Sequence, residues 1–416
     1  MRVLWLTLRT FSNKEDVITG GWLSSLAKGL IENCNIELAN ISTGNVKNLI
    51  RQDYGSIRQW IVPATTRINH NGLPLRKGLV SQIINVVNEF APDLVHVWGT
   101  ESFWGLLTAR GLINRTSLLE IQGLKFAIAK VYHGGLSLSE QMACIGLKEI
   151  AKRSILFQKK SSLVKWGLLE KEIISKHRYI VTQTQWAESQ VMAINSNCMI
   201  FHNDRMLRDA FLTSKPWISS GESIIFCSAS YPAPFKGLHT AIRSLALLKR
   251  KGFLDIQLRI AGDLQHNGLR QDGYIRWLNN EIIKLGIEQN VLWLGAITAE
   301  RIVDEMRKAS VMLLPTFMEN CSNAMQEAMM VGIPLVVSFT GGLPSLADDE
   351  TSVLFFPPDD EYMCAYQLER ILTNKDLAMN LSQEARKNAR VRNNPLRIIT
   401  NQMEIYHRVL DAAKVT

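Results

Sequence analysis

No apolar run in the 416 residues is long enough to span a bilayer as a helix, which argues against an integral helical membrane protein. The opening stretch VLWLTL is too short for the core of a secretory signal and reads instead as a first strand. Cysteine is sparse: the six, at 34, 144, 198, 227, 321 and 364, form no close pair, so a disulfide framework is disfavoured and a reducing cytoplasm is expected. No Asp-x-Asp triplet of the kind that holds a divalent cation occurs. Acidic residues are scarce in the first half alone: residues 1–200 hold 14 Asp and Glu against 23 Lys and Arg, and the remainder balances at 24 and 24. The first half therefore carries the whole net charge of +9, a field that favours an anionic partner.

What is present is ordinary globular composition, 46% hydrophobic and 20% charged, over a length that exceeds what one core usually organises. Short apolar runs alternate with helical patterns. In the first half the strand candidates are Val3–Leu8, Ile36–Ile41, Leu94–Val97, Leu118–Ile121, Tyr179–Thr182 and Met199–Phe201. In the second they are Ser223–Cys227, Gln257–Ile260, Val291–Leu294, Met312–Leu314, Leu335–Val337 and Val353–Phe356. Such alternation predicts doubly wound parallel sheets, one in residues 1–205 and one in 206–394, joined where periodicity lapses over 203–222. A closing helix over 395–416 starts at Pro395 and sets Leu396, Ile399, Met403, Tyr406 and Leu410 on one face.

The densest signal is Glu319 to Leu346, directly after the run VMLLP at 311–315. That run reads as a strand buried on both faces, and Ser322 or Asn323 can cap a following helix that ends at Gly332. Glu319 then lies in the loop beyond the strand's carboxyl end, where open parallel sheets bind ligands, with Glu327 on the adjoining helix. The two carboxylates can accept hydrogen bonds from ligand hydroxyls, while the amides near Cys321, Ser322, Asn323 and Ala324 suit a phosphate. Gly341-Gly342 permits a tight turn after the next strand. Lys236-Gly237 precedes an amphipathic helix with Leu238, Ile242, Leu245 and Leu248 on one face, which places an ammonium at a second positive helix end.

Glu319 and Glu327 with seven residues between them, followed by EAM, GIP and the glycine pair, resemble the nucleotide-sugar site of the retaining glycosyltransferases of family 4, or group 1, which include bacterial surface-polysaccharide enzymes. The resemblance implies the GT-B fold, two Rossmann-like α/β domains facing across a cleft, with the donor mainly on the second and the acceptor on the first. It implies that Glu319 contacts the donor sugar, Glu327 the ribose, and Lys236 the diphosphate, with the closing helix crossing back onto the first domain. The loops at 260–265 and 293–297 should border the nucleotide base. The donor would be a nucleotide diphosphate sugar, with no further cofactor and no metal. The acceptor would be a glycan or a polyprenyl-diphosphate-linked glycan, and the anionic partner a membrane surface rather than nucleic acid. In one respect the chain departs from the pattern: Ser230 and Tyr231 stand where an Arg usually precedes Lys236, which removes a second cation from that loop and leaves Arg205 or Arg208, which the sequence does not place, as candidate substitutes.

Other strand exits offer further candidates. Gly20 and Gly21 precede a helix after the first strand, where the resembled enzymes carry a glycine loop against the diphosphate. His96, Trp98 and Glu101 are expected at or near the cleft. Glu101 reads first as a surface carboxylate, and as a functional group would orient or deprotonate an acceptor hydroxyl. Gln122 replaces a His common in the family at the donor's reacting end, and an amide exchanges no proton at neutral pH. The loop His133-Gly134-Gly135 is expected on the acceptor side. Residues 148–178 gather nine Lys and Arg among apolar neighbours, a composition shared by solvated helices and by helices resting on anionic membranes. Two rival readings stay open: a GT-B protein that binds a nucleotide sugar or a partner enzyme without turnover, and a phosphorylase-like reaction.

Overall fold

The computed structural model describes residues 1–12, 21–64, 68–69, 71–229, 231–263 and 271–415. Eight strands form the first sheet: β1 Arg2–Thr7, β2 Glu37–Gly44, β3 Ile50–Arg51, β4 Arg58–Pro63, β5 Leu94–Trp98, β6 Ser117–Glu120, β7 Tyr179–Thr182 and β8 Met199–His202. Their order is β3-β4-β2-β1-β5-β6-β7-β8, parallel throughout except for the short antiparallel β3. Six strands form the second: β9 Ile224–Ser228, β10 Gln257–Ala261, β11 Val291–Gly295, β12 Val311–Leu314, β13 Leu335–Ser338 and β14 Leu354–Phe356, in the order β11-β10-β9-β12-β13-β14 and all parallel.

Side-chain alternation explains why the central strands read as continuous apolar runs. In β1, Leu4 and Leu6 enter one core while Val3 and Trp5 enter another on the opposite face, so both faces are covered. The second core includes Ile398, Ile399, Ile405, Tyr406 and Val409 of the helix Pro395–Lys414, which thus lies on the first sheet although it follows the second in the chain. Its buried stripe is rotated from the one expected: Leu396 is largely exposed and Ile398, Gln402 and Ile405 are buried.

β3 and β4 were not among the expected strands. The Arg58–Pro63 segment mixes Gln59 into its apolar run, and Gln59 is buried because β4 needs a polar anchor there. Its Oε1 accepts from the Phe11 amide (2.7 Å) and Asn40 Nδ2 (3.0 Å), and its Nε2 donates to the Phe11 carbonyl (3.0 Å). The side-chain amide satisfies both backbone groups of buried Phe11, which lies outside any strand.

One segment of the first half leaves its own sheet. Tyr132, Leu136, Cys144 and Leu156 sit in the core of the second sheet. Buried Glu149 accepts the backbone N–H of Gly273 at 3.2 Å, and Lys159 pairs with Asp272 at 3.1 Å. The His133-Gly134-Gly135 loop belongs to this crossing, and none of its three residues lines the cleft between the sheets. A Cβ on Gly134 would lie 2.5 Å from the Pro234 carbonyl oxygen, and one on Gly135 2.0 Å from Asp359.

Candidate functional site

The site begins at the end of β12, where Pro315 halts pairing and the chain turns into the helix Asn323–Val331. Ser322 caps that helix, its hydroxyl oxygen accepting the Met325 N–H at 3.3 Å, and Gly332 closes it at φ 84°. The amides ahead of that cap remain available at the positive end of the helix. Two glycines press the neighbouring segments against this turn. Gly237, at φ 72°, passes so close that a Cβ would stand 1.8 Å from the Pro315 carbonyl oxygen. Gly341, at φ 53°, approaches the Glu319 carbonyl so that a Cβ would stand 2.0 Å away, and the Gly342 N–H donates to the same oxygen at 3.0 Å. Lys236 and Glu319 are thereby brought together, the ammonium donating to a carboxylate oxygen of Glu319.

These residues line a cleft of about 1210 Å³ whose opposite wall comes from the first sheet. Gly21, Glu101, Gln122, Lys236, Glu319, Cys321, Ser322, Asn323, Ala324 and Glu327 all line it. Gly20, Ser230 and residues 264–265 of the expected base-side loop lie outside the described residues. Ala261, Gly262, Asp263, Ala296 and Ile297 line the cleft on that side. Asn320 ties the two walls together: its Nδ2 donates to the Gln122 carbonyl at 2.8 Å, and its Oδ1 accepts the Thr184 hydroxyl at 2.6 Å.

Glu101 is not the surface carboxylate its loop position predicts. Its Oε1 accepts the Gly123 N–H at 2.7 Å, while Oε2 is buried with no hydrogen-bond partner. Burial pushes this carboxyl above the usual glutamate range, against the opposing pull of the Gly123 amide, Lys125 and Arg205. His96 and Trp98 do not line the cleft: the rings stack at 4.0 Å inside the first domain, and His96 Nδ1 shares a hydrogen bond with the Tyr406 hydroxyl at 2.9 Å. Burial lowers the His96 pKa, the neighbouring Glu120 carboxylate opposing that shift, so the ring serves the core rather than the cleft.

Two cations that no local motif marks come from the connection between the sheets. Arg208 donates to both carboxylate oxygens of Glu327, at 2.9 Å each. Burial raises the Glu327 carboxyl above its ordinary value, and Arg208 opposes that shift. The pair takes two of about four acceptor directions on the carboxylate and leaves the others for ligand hydroxyls. Arg205 is 5% exposed, lines the same cleft, and carries its guanidinium over the Trp22 ring at 4.7 Å. Its Nε has no hydrogen-bond partner. A buried guanidinium with an open donor is costly until an anion reaches it, and this one borders the amide end of the Asn323 helix. Both lie some thirty positions from Lys236 and are delivered by the path of the connection, so the sequence offers them as replacements for the missing Arg without placing them. Among the described residues, no group of three or more His, Cys, Asp and Glu is arranged to hold a metal ion.

Comparison with known proteins bears on this geometry. Residues 213–388 match the family described as glycosyl transferases group 1. A D-inositol 3-phosphate glycosyltransferase of Saccharomonospora viridis is 29% identical over 174 residues, covering 40% of this chain and 39% of that protein. The MMP alpha-(1->4)-mannosyltransferase of Mycolicibacterium hassiacum is 28% identical over 167 residues, 40% of this chain and 38% of its own length. The chain thus spans about two fifths of the length of the curated relatives it matches. Sucrose-phosphate synthase from Thermosynechococcus elongatus superposes over 99% of both chains with a TM-score of 0.73 at 17% identity. Anabaena HepE in complex with UDP-glucose superposes over 100% of both with a TM-score of 0.64 at 13% identity. The fold is GT-B, two parallel-sheet α/β domains.

Proposed function

We propose that this chain is a group 1 glycosyltransferase of the hexosyl type, moving a sugar from a nucleotide diphosphate donor to an acceptor hydroxyl with retention at the anomeric carbon. The observation that carries the reading is convergence. Lys236, Glu319 and the Cys321–Ala324 amides from the second sheet meet Gly21, Glu101 and Gln122 from the first in one cleft, with Arg205 and Arg208 between them. Such a set suits a doubly charged leaving group beside a polyhydroxylated one.

In this reading Lys236, Arg205 and the helix amides hold the diphosphate, and the Gly20-Gly21 pair lets the first domain approach it. Glu319 accepts from the donor sugar's hydroxyls once Lys236 turns to the phosphate. Glu327 accepts from the ribose. Gln122 donates to the sugar without exchanging a proton, and Glu101 orients the acceptor. The bond from the anomeric carbon to the phosphate oxygen breaks, and the bond to the acceptor oxygen forms on the same face. The acceptor proton passes to the departing phosphate oxygen, so nucleoside diphosphate leaves. The chain's own cations neutralise that charge, and we propose that no metal ion is required.

The rival reading of binding without turnover rests on the missing Arg before Lys236 and on Gln122. Arg205 and Arg208 in the same cleft favour turnover over that rival. We further propose a glycan or polyprenyl-diphosphate-linked acceptor and action at the inner face of a membrane. No described helix is long and apolar enough to cross one.

A thermal-shift panel of nucleoside diphosphates and their sugars tests the donor assignment, since ligand stabilisation follows affinity and concentration. HepE's UDP-glucose makes uridine diphosphate sugars the first to try. The reading expects at least one stabilising nucleotide sugar, transfer of its labelled sugar, and no loss of transfer in a chelator. No stabilisation by any member overturns it.

A further inference from the structure

The acidic side chains between Leu138 and Arg178 are all engaged by the protein itself. Glu140 pairs with Arg243, and Glu149 accepts the Gly146 and Gly273 amides at 3.1 and 3.2 Å. Glu170 accepts the Thr100 hydroxyl at 2.6 Å and the Phe126 amide at 2.9 Å, and Glu172 pairs with Arg110 at 2.7 Å. The basic side chains mostly go the other way: Lys152, Lys165, Lys171 and Lys176 are exposed. So are the large apolar ones: Leu138, Met142, Leu147, Ile150, Val164 and Leu168 are each half exposed or more, Leu147 at 87%. On the helix Leu156–Lys176 the exposed positions Phe157, Ser161, Val164, Lys165 and Leu168 recur at helical spacing, so apolar and cationic groups share one outward stripe.

Solvation alone explains lysines on a surface but not six large apolar side chains on the same segment with every one of its carboxylates already engaged. A second copy of this chain would meet like charge. An anionic bilayer satisfies both features, because acyl chains receive the apolar groups and headgroups the ammonium groups. The surface also adjoins the cleft: Arg153, Ser154, Gln158, Ser162 and Trp166 of the same segment line its mouth.

We propose that the segment Leu138–Lys176 is a membrane-docking surface for anionic lipid, which seats the cleft mouth at the headgroup layer. Its use, receiving an acceptor whose lipid tail stays in the bilayer, rests on the glycosyltransferase reading. The docking does not.

Sedimentation of the full chain with vesicles of phosphatidylcholine, alone or with about a third phosphatidylglycerol, tests this. Binding is expected only to the anionic vesicles, weakening as salt is raised. Each cation near such a surface contributes roughly fivefold in affinity, so Lys152→Glu with Lys165→Glu should weaken binding by roughly 25-fold or more. Leu168→Asp should weaken it too, while Lys308→Glu with Lys375→Glu, reversing exposed charge on the second domain, should not. Equal binding to neutral vesicles, no binding at all, or unaffected binding by the segment's variants overturns the proposal. So does self-association that Leu168→Asp abolishes, which assigns the surface to a second copy. Nucleotide thermal shifts on the same variants, expected to match the parent, show that each is folded. They also report separately on the donor site, so failure of either reading is visible without the other.

Discussion

Arg205 separates a structural from a ligand-binding role more sharply than either acidic residue does. A side chain that stabilised the fold would be missed when removed, whereas a buried cation kept for a ligand relieves the unliganded protein when it goes. Arg205→Gln is therefore expected to leave the melting temperature without ligand unchanged or raised. It should weaken the best nucleoside diphosphate by roughly 10- to 150-fold, the equivalent of a hydrogen bond to a charged group worth about 1.5–3 kcal/mol. Calorimetric titration beside a melting curve measures both, and a lower melting temperature with unchanged affinity would count against the assignment. The two glutamates were legible from spacing because a loop and one helical turn fix their separation. The arginines were legible as candidate cations but not as members of the site, since only the path of the chain between the sheets brings them there. Glu101 was legible as a position but not as a buried group, because its burial depends on Gly99 and Gly123 closing around it.

Most strands could be read from the sequence, since apolar runs buried on both faces need no periodicity to stand out. β4 could not, because its anchor Gln59 interrupts the run and is paid for by contacts with Phe11 and Asn40, which are distant in sequence. The glycine turn after β13 was readable as a turn, but its purpose, bracing the Glu319 carbonyl, needed coordinates. Gly341→Ala should cost stability, since the left-handed backbone and the contact with that carbonyl oppose a Cβ together. A loss of about 1–3 kcal/mol is expected, with nucleotide-sugar binding lost as the loop shifts. Denaturant unfolding and a thermal shift with donor check it, and an indifferent variant would show that the turn does not position Glu319.

The Leu156–Lys176 helix carries a second measurable consequence. Burial pushes the Glu170 carboxyl from 4.5 up to about 7, the Thr100 and Phe126 hydrogen bonds opposing. A carboxyl whose folded value is raised favours the folded state when protonated. Its contribution is whole below about 4.5, fades as the pH rises, and is lost above about 7. Glu170→Gln should flatten stability between those limits and gain up to about 3 kcal/mol over the parent at pH 8. Urea unfolding at pH 5 and pH 8 checks this, and parallel pH curves for the two proteins would contradict it.

At the scale of the whole molecule, the two-sheet arrangement followed from strand count and order. The crossing of residues 132–156 into the second core did not, because its apolar residues look alike whichever core receives them. That crossing, the Asn320 bridge and the terminal helix hold the walls of the cleft to one another. Glu149→Ala removes the buried acceptor of the Gly146 and Gly273 amides. It should raise amide exchange around both glycines and weaken any ligand that contacts both walls.

The most direct test of the central claim is hydrogen–deuterium exchange of the full chain with and without its best nucleoside diphosphate. A ligand gripped between the two helix ends should slow exchange at Cys321–Ala324, around Lys236 and Gly237, and at the start of the Gly21 helix in the same experiment. Protection confined elsewhere, or confined to one wall, would contradict the account.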